Sequence, residues 1–328
     1  MLSRAANNLY WMSRQIERAE NAARMLDVTY RMSLLPYRVL EPGQEWAEPW
    51  ALPLVITGLA SAYYERYPGR ITPDNVLRFM VLDPANSSSI CSCIQAAREN
   101  ARSMRGAITE EMYEDLNDFW LKMREFDRHR VEADVGGFFG WVKIRSHQFR
   151  GVTFGTMLRD ESYHFIRLGT FMERADNTAR ILDVKYHTLL PSVADVGGAV
   201  DYYQWGALLR SVSAFDSYRK IYHDVITPMR VAELLILRAD VPRSLHACMN
   251  EIYEILQELC DDTQREAERL AGELHAKLHY GQTQQIIQIG LHEYLTGFLD
   301  GTSRLTDEID KTFLVPVYPS HLAQTVAA

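Results

Sequence analysis

Residues Glu17–Val28 read ERAENAARMLDV, and residues Glu173–Val184 read ERADNTARILDV. Nine of the twelve positions are identical, and the other three exchange residues alike in size or charge: Glu20 for Asp176, Ala22 for Thr178, Met25 for Ile181. A self-match at a fixed spacing is the mark of an internal duplication, and a doubled unit sets the architecture around it.

Outward from this pair the correspondence continues at an offset of 156, falling to 155 after the first helix. Leu34-Leu35-Pro36 becomes Leu189-Leu190-Pro191, Trp50 meets Trp205, Tyr63 meets Tyr218, Tyr67 meets Tyr222, Ile71-Thr72-Pro73 meets Ile226-Thr227-Pro228, and Cys93 meets Cys248. The repeat predicts two halves, residues 1–156 and 157–328, closed into one compact pseudo-twofold body.

In the first copy Leu9, Met12, Ile16, Ala19, Ala23, Leu26 and Tyr30 step by threes and fours, which predicts a long helix from about Ser3, a candidate N-cap, to about Ser33. A loop with Pro42 and Gly43 follows. Further helices are predicted at about 48–66, from Thr72-Pro73, at 86–104 and 109–126, through Trp141 and His147 to about Gly151, through the second copy, and at 263–278, 283–299 and 302–313. Residues 127–136 read as a polar loop, Asp134-Val135-Gly136-Gly137 and Asp195-Val196-Gly197-Gly198 as turns, and the stretch after Leu314, with Pro316 and Pro319, as a loose arm. No stretch alternates as strands do, so the fold class is all-α, a helical bundle with antiparallel neighbours.

The 328 residues are 47% hydrophobic and 24% charged, inside the globular range. Net charge is −8 without a lysine- or arginine-rich run, which excludes a nucleic-acid footprint. The uncharged stretch 50–64 is broken by Pro53 and Gly58 and is too short for a bilayer span, and the N-terminus enters helical periodicity without an apolar signal core. No membrane segment and a cytoplasmic location are expected. Cys91, Cys93, Cys248 and Cys260 lack CxxC pairing and read as small core residues.

On a helical wheel with Glu17 at zero, Asn21 and Arg24 fall within about 40°, and Glu20 and Asp27 about 60–80° to one side. One face therefore carries an acid-arginine-acid ladder. Glu173, Asp176, Asn177, Arg180 and Asp183 repeat it, while Arg18 and Arg174 sit about 100° round and serve another neighbour. Surface ion pairs contribute only about 0–1 kcal/mol and drift freely, so a pattern held in both copies implies faces at least half buried, near where the two long helices meet. Three roles fit: a buried network fixing helix register, a polar pocket in which arginines hold a carboxylate or phosphate and a glutamate handles a proton, or a partner-docking surface.

Other constellations are weaker. His275 and His279 stand four apart, a spacing that places two imidazoles on one metal, but no glutamate lies between them as HExxH requires. The pair reads as a half-exposed helix face, and no metal or cofactor is expected. No Ser-His-Asp or Cys-His arrangement is legible. The paired tryptophans and tyrosines read as core, Tyr10 and Trp11 as buried, with an exposed aromatic anchor the alternative, and Asp160-Glu161 as acids at the positive end of the second long helix.

The opening MLSRAANNLYWMSRQIERAENAARMLDV and the later FIRLGTFMERADNTARILDV resemble the bacterial alpha-E domain family, named for its helices and its Glu-Arg motif. The resemblance runs the length of the chain. Members usually carry glutamate where this chain has Asn7 and glycine where it has Ser13, and Gly169 keeps that glycine in the second copy. The resemblance implies no established activity. It does imply association with circularly permuted ATP-grasp ligases, with a transglutaminase-like protease and a proteasome-like peptidase nearby, hence peptide or amide-bond chemistry. The leading expectation is a non-catalytic helical partner that binds such a ligase or its peptide product. The alternatives are an enzyme or ligand-binding subunit using the Glu-Arg faces as a carboxylate or phosphate site, and a homodimer without a ligase.

Overall fold

Helices alone make up the regular structure among the residues that the computed structural model describes, namely 1–34, 49–188, 199–261 and 265–315. The first half runs α1 (Ser3–Ser33), α2 (Leu52–Ile56), α3 (Ala60–Arg66), α4 (Pro73–Leu77), α5 (Ile90–Ser103), α6 (Glu110–Met123), α7 (Arg128–Ala133) and α8 (Val135–Thr156). The second runs α9 (Glu161–Thr188), α10 (Ala199–Ser211), α11 (Phe215–Tyr222), α12 (Pro228–Ala232), α13 (Leu245–Leu259), α14 (Arg265–His279), α15 (Thr283–Ile289) and α16 (Leu291–Ile309).

Local chemistry explains the shared punctuation of the halves. The hydroxyls of Thr72 and Thr227 cap α4 and α12, and a proline opens each helix where its missing N–H costs nothing. Each then widens into a five-residue π-type turn, Arg78–Leu82 and Glu233–Leu237, before Ser89 and Ser244 cap α5 and α13. Asp160 caps α9 by accepting from the amides of Ser162 and Tyr163, and Glu161 pairs with the N-terminal amine at 2.7 Å.

Several predicted boundaries move. The helix expected at 48–66 is cut by Gly58, whose φ of +69° glycine adopts without strain. The loop expected at 127–136 holds α7, and Asp134-Val135-Gly136-Gly137 is a helix start, not a turn. There Asp134 Oδ1 accepts from the Gly137 amide at 2.8 Å, and a Cβ on Gly137 would stand 2.0 Å from that carboxylate. The next helix passes Gly151 to end at Thr156, Gly290 at φ +102° divides the one expected at 283–299, and α16 runs through the break expected before residue 302. Ser3 lies inside α1, whose N-cap is Leu2 without a side-chain bond. The expectations for Leu35-Pro36, Pro42 and Gly43, Leu189-Leu190-Pro191, 195–198 and the arm with Pro316 and Pro319 lie outside the described residues.

The long helices α1 and α9 form the most extensive helix pair among the described residues; α5 and α8 pack on α1, and α13 and α16 on α9. Their approach is close. A Cβ on Gly169 of α9 would stand 2.2 Å from the Tyr10 carbonyl oxygen and 2.4 Å from Ser13 Oγ on α1. One continuous apolar cluster joins Leu9, Ile16 and Leu26 to Leu168, Leu182 and Leu256. Trp50, Trp205, Tyr63, Tyr218, Cys93 and Cys248 are buried in it, and Tyr10 is fully enclosed while Trp11 is partly so. Among the described residues no helix is long and apolar enough to cross a membrane.

Candidate functional site

Charged groups on a buried helix face must find counter-charges on neighbouring elements. The two Glu-Arg dipeptides find them in each other. Glu17 on α1 accepts both arms of Arg174 on α9, Nε to Oε1 and Nη2 to Oε2, each at 3.0 Å. Glu173 on α9 accepts both arms of Arg18 on α1 at 2.6 and 2.8 Å. The forks thus run between the long helices in opposite senses, in the bidentate geometry that gives the strongest carboxylate–guanidinium pairing.

Two further elements close this clasp on the side of the first copy, and α1 adds contacts of its own. From α8, Arg150 Nη1 reaches Glu17 Oε2 at 3.0 Å and Glu20 Oε2 at 2.6 Å, and Ser146 Oγ donates to Glu20 Oε2 at 2.7 Å. From the turn before α13, Arg243 reaches Glu17 Oε1 at 2.9 Å, Glu20 Oε1 at 2.6 Å and Asn21 Oδ1 at 2.9 Å. On α1 itself, Arg24 donates to Glu20 at 2.7 Å, and Arg14 donates to Glu173 at 3.0 Å while lying over the Trp11 ring. Arg24 also lies 3.0 Å from His147 Nε2, which stands 3.5 Å from Glu20 Oε1.

Glu17, 1% exposed, and Glu20, fully enclosed, stay charged all the same. Burial by itself would raise the Glu17 carboxyl, but Arg174, Arg243 and Arg150 outweigh it and the charge of Glu20, and hold the group at about 2. Glu20 lies well below the usual carboxylate range against the same burial, pulled down by Arg243, the His147 contact, Arg150 and Arg24. Glu173 is lowered against burial by Arg18 and Arg14. Each is an ionised acceptor with committed lone pairs, unsuited to shuttling a proton near neutral pH. The Arg243 guanidinium is pushed down: burial lowers it, Glu17 and Glu20 pull it back, and Arg174 and Arg24 repel it.

These contacts revise the expected ladder. Arg24 serves Glu20 one turn back, whereas Glu17 looks across to α9, and Arg18 and Arg174, expected to serve other neighbours, form the crossed forks. Asp27 pairs with Arg31 at 2.8 Å and with Lys143 of α8 at 2.7 Å. The second copy is more open. Arg180 bonds Asp176 at 2.7 Å, a pair still more than half buried, at 45% and 33% side-chain exposure, but far less enclosed than Arg24 and Glu20. Asp183 accepts from His292 Nδ1 at 2.6 Å, and Asn177 is partly buried. Ser88, 155 positions before Arg243, lines the pocket beside Asp176 and Asn177, where it brings no guanidinium.

Two pockets flank the clasp. One, of about 320 Å³, is lined by Arg14, Arg18, Glu173, Asp176, Asn177 and Arg180 among others. The other, of about 270 Å³, is lined by Arg24, His147, Arg150, Arg174, Ser213 and Arg243 among others. Its four guanidiniums are matched by two carboxylates, Glu17 and Glu20, among the described residues. Arg150 and Arg174 also line an adjoining pocket of about 230 Å³ walled by Phe149, Phe154, Tyr163 and Phe171.

Arg14, Ser146, His147, Arg150 and Arg243 are absent from the motif-based set. A signal existed for three of them, Arg14, His147 and Arg150. Residues 135–156 hold Lys143, Arg145, His147 and Arg150 and no acid, so α8 had to dock on acidic neighbours; Arg145 meets Asp115 and Asp118, and the others meet α1. Arg14 stands one turn before Arg18 on the same face. Arg243, alone in a turn, gave none.

The chain matches the Alpha-E family, described as a predicted alpha-helical domain with a conserved ER motif, over residues 1–314. It is similar to uncharacterized proteins of Mycobacterium bovis and of two strains of Mycobacterium tuberculosis, each 22% identical over 325 residues, or 91% of this chain and 35% of the relative. The chain thus spans about a third of the length of these curated relatives. No solved structure matches.

Proposed function

The chain belongs to the Alpha-E family, and from that premise we propose that it is a non-catalytic helical subunit of an ATP-grasp amide or peptide ligase system, holding a peptide carboxylate in the arginine pocket beside Glu17 and Glu20. The observation that carries this reading is the charge excess of that pocket, four guanidiniums against two carboxylates. Positive charge gathered in a part-buried site is costly until an anion joins it, and guanidinium forks suit carboxylates. The aromatic pocket that shares Arg150 and Arg174 fits an apolar side chain of the same peptide.

The chemistry of the site favours binding over catalysis. The three glutamates are ionised and tied, and burial pushes the thiols of Cys93 and Cys248 up to about 12, out of nucleophilic range. The ligase class comes from the family resemblance, as do the transglutaminase-like protease and proteasome-like peptidase as accompanying partners. The greater length of the mycobacterial relatives supports a module that works beside other segments.

Calorimetric titration with a short peptide ending in an apolar residue, as the free acid and as the amide, tests the pocket. The acid binds about ten- to a hundredfold more tightly, the worth of a charged hydrogen bond, and Arg150→Met abolishes the difference. Equal affinity for acid and amide overturns the pocket. Purification of the native protein without an ATP-grasp ligase overturns the partner.

A further inference from the structure

Helices α13 and α14 pack side by side, and their contact gathers three imidazoles: His246 near the start of α13, and His275 and His279 near the end of α14. One ring nitrogen of each lies within 4.8 Å of the others. None of the three lines the pockets described above, so the cluster is a separate feature.

The His246 tautomer follows from its neighbour. Its Nδ1 is 2.7 Å from the carbonyl oxygen of Leu237, the last residue of the wide turn Glu233–Leu237. A carbonyl only accepts, so Nδ1 carries the proton and Nε2 keeps its lone pair. That Nε2 is buried and has no hydrogen-bond partner among the described residues, on a side chain 6% exposed. A histidine whose second nitrogen is fixed by a backbone carbonyl is oriented as metal-binding histidines are. The ring of His275 is set as well: Tyr253 stacks on it at 5.2 Å and 18°, and the same tyrosine lies against Gly272, where a Cβ would stand 3.2 Å from it.

We propose that His246, His275 and His279 hold a divalent late first-row metal ion, Zn²⁺ foremost, with a coordination position open to solvent beside the exposed His279. Imidazole nitrogens select such ions over Mg²⁺ or Ca²⁺, and three protein ligands with one open position is the arrangement of reactive zinc sites. Bonds of about 2.0–2.1 Å place adjacent nitrogens about 3.3 Å apart, so the three rings, now within 4.8 Å of one another, draw together as the ion binds.

The test uses the full chain, free of any polyhistidine tag, stripped with chelator and titrated with Co²⁺ and then Zn²⁺. One equivalent of Co²⁺ binds with visible d–d absorption, and Zn²⁺ displaces it. His275→Ala and His279→Ala, which leave the buried His246 in place, each weaken Co²⁺ binding at least about tenfold, since even outer-shell losses cost that much. Zn²⁺ raises the Tm of the parent and leaves that of His279→Ala unchanged. Natively folded protein that takes up no stoichiometric Co²⁺, or both variants binding it as the parent does, overturns the site.

Discussion

Three guanidiniums converge on Glu17, and two of them, Arg174 and Arg243, are almost fully enclosed. Replacing the carboxylate strands those charges without water to solvate them. Glu17→Ala therefore loses about 3–5 kcal/mol in a denaturant titration, whereas Arg180→Ala, on the more open face of the second copy, changes stability by about 1 kcal/mol or less. A Glu17→Ala protein as stable as its parent would end the case for the clasp. The same carboxylate predicts an acid response. Its folded value, about 2, lies below its ordinary 4.5, so its contribution is complete above pH 4.5 and is lost as pH falls toward 2. Glu20 and Glu173 shift the same way. Denaturant midpoints fall across that window, and Glu173→Gln flattens the fall. The sequence made the motif legible and its helical face roughly so. It did not reveal the partners, because a wheel ranks neighbours on one helix while Glu17 pairs with residues 133 and 157 positions away.

At the scale of elements, the crossing of α1 and α9 depends on Gly169, where the helix backbones approach too closely for any side chain. A methyl there forces the helices apart and disturbs both forks, so Gly169→Ala costs at least the roughly 1–3 kcal/mol of ordinary overpacking. The loss exceeds that of Gly151→Ala, where a Cβ meets open space, and thermal unfolding of the two variants makes the comparison. An equal effect at both positions would mean that the close approach is not holding the pair. Long helices were readable in advance because apolar periodicity accumulates over many turns. The breaks at Gly58 and Gly290 were not, since a single glycine with positive φ is set by what the flanking segments pack against. The Asp134 start was missed for a related reason: an aspartate two residues before paired glycines suits a turn and a helix cap equally, and the continuation into α8 decides between them.

For the whole molecule the crossed forks have a thermodynamic consequence. Glu17 belongs to residues 1–156 and takes its fork from Arg174, while Glu173 belongs to the other half and takes its fork from Arg18. Neither half satisfies its own motif, and opening one helix leaves a buried acid on one side and a buried arginine on the other. The apolar cluster runs through both halves as well, with Leu26 and Leu182 in one continuous set. Local opening of either half therefore forfeits contacts that hold the other, which makes the cost of partial unfolding nearly that of global unfolding. Amides in the central turns of α1 and α9 should accordingly exchange hydrogen with one common opening free energy, equal to that from denaturant unfolding. The Glu17→Ala and Glu173→Ala variants should lower both helices together. If α1 exchanges through a separate, cheaper opening while α9 stays protected, the halves are independent units, and the reciprocal pairing joins them in space without coupling their stability.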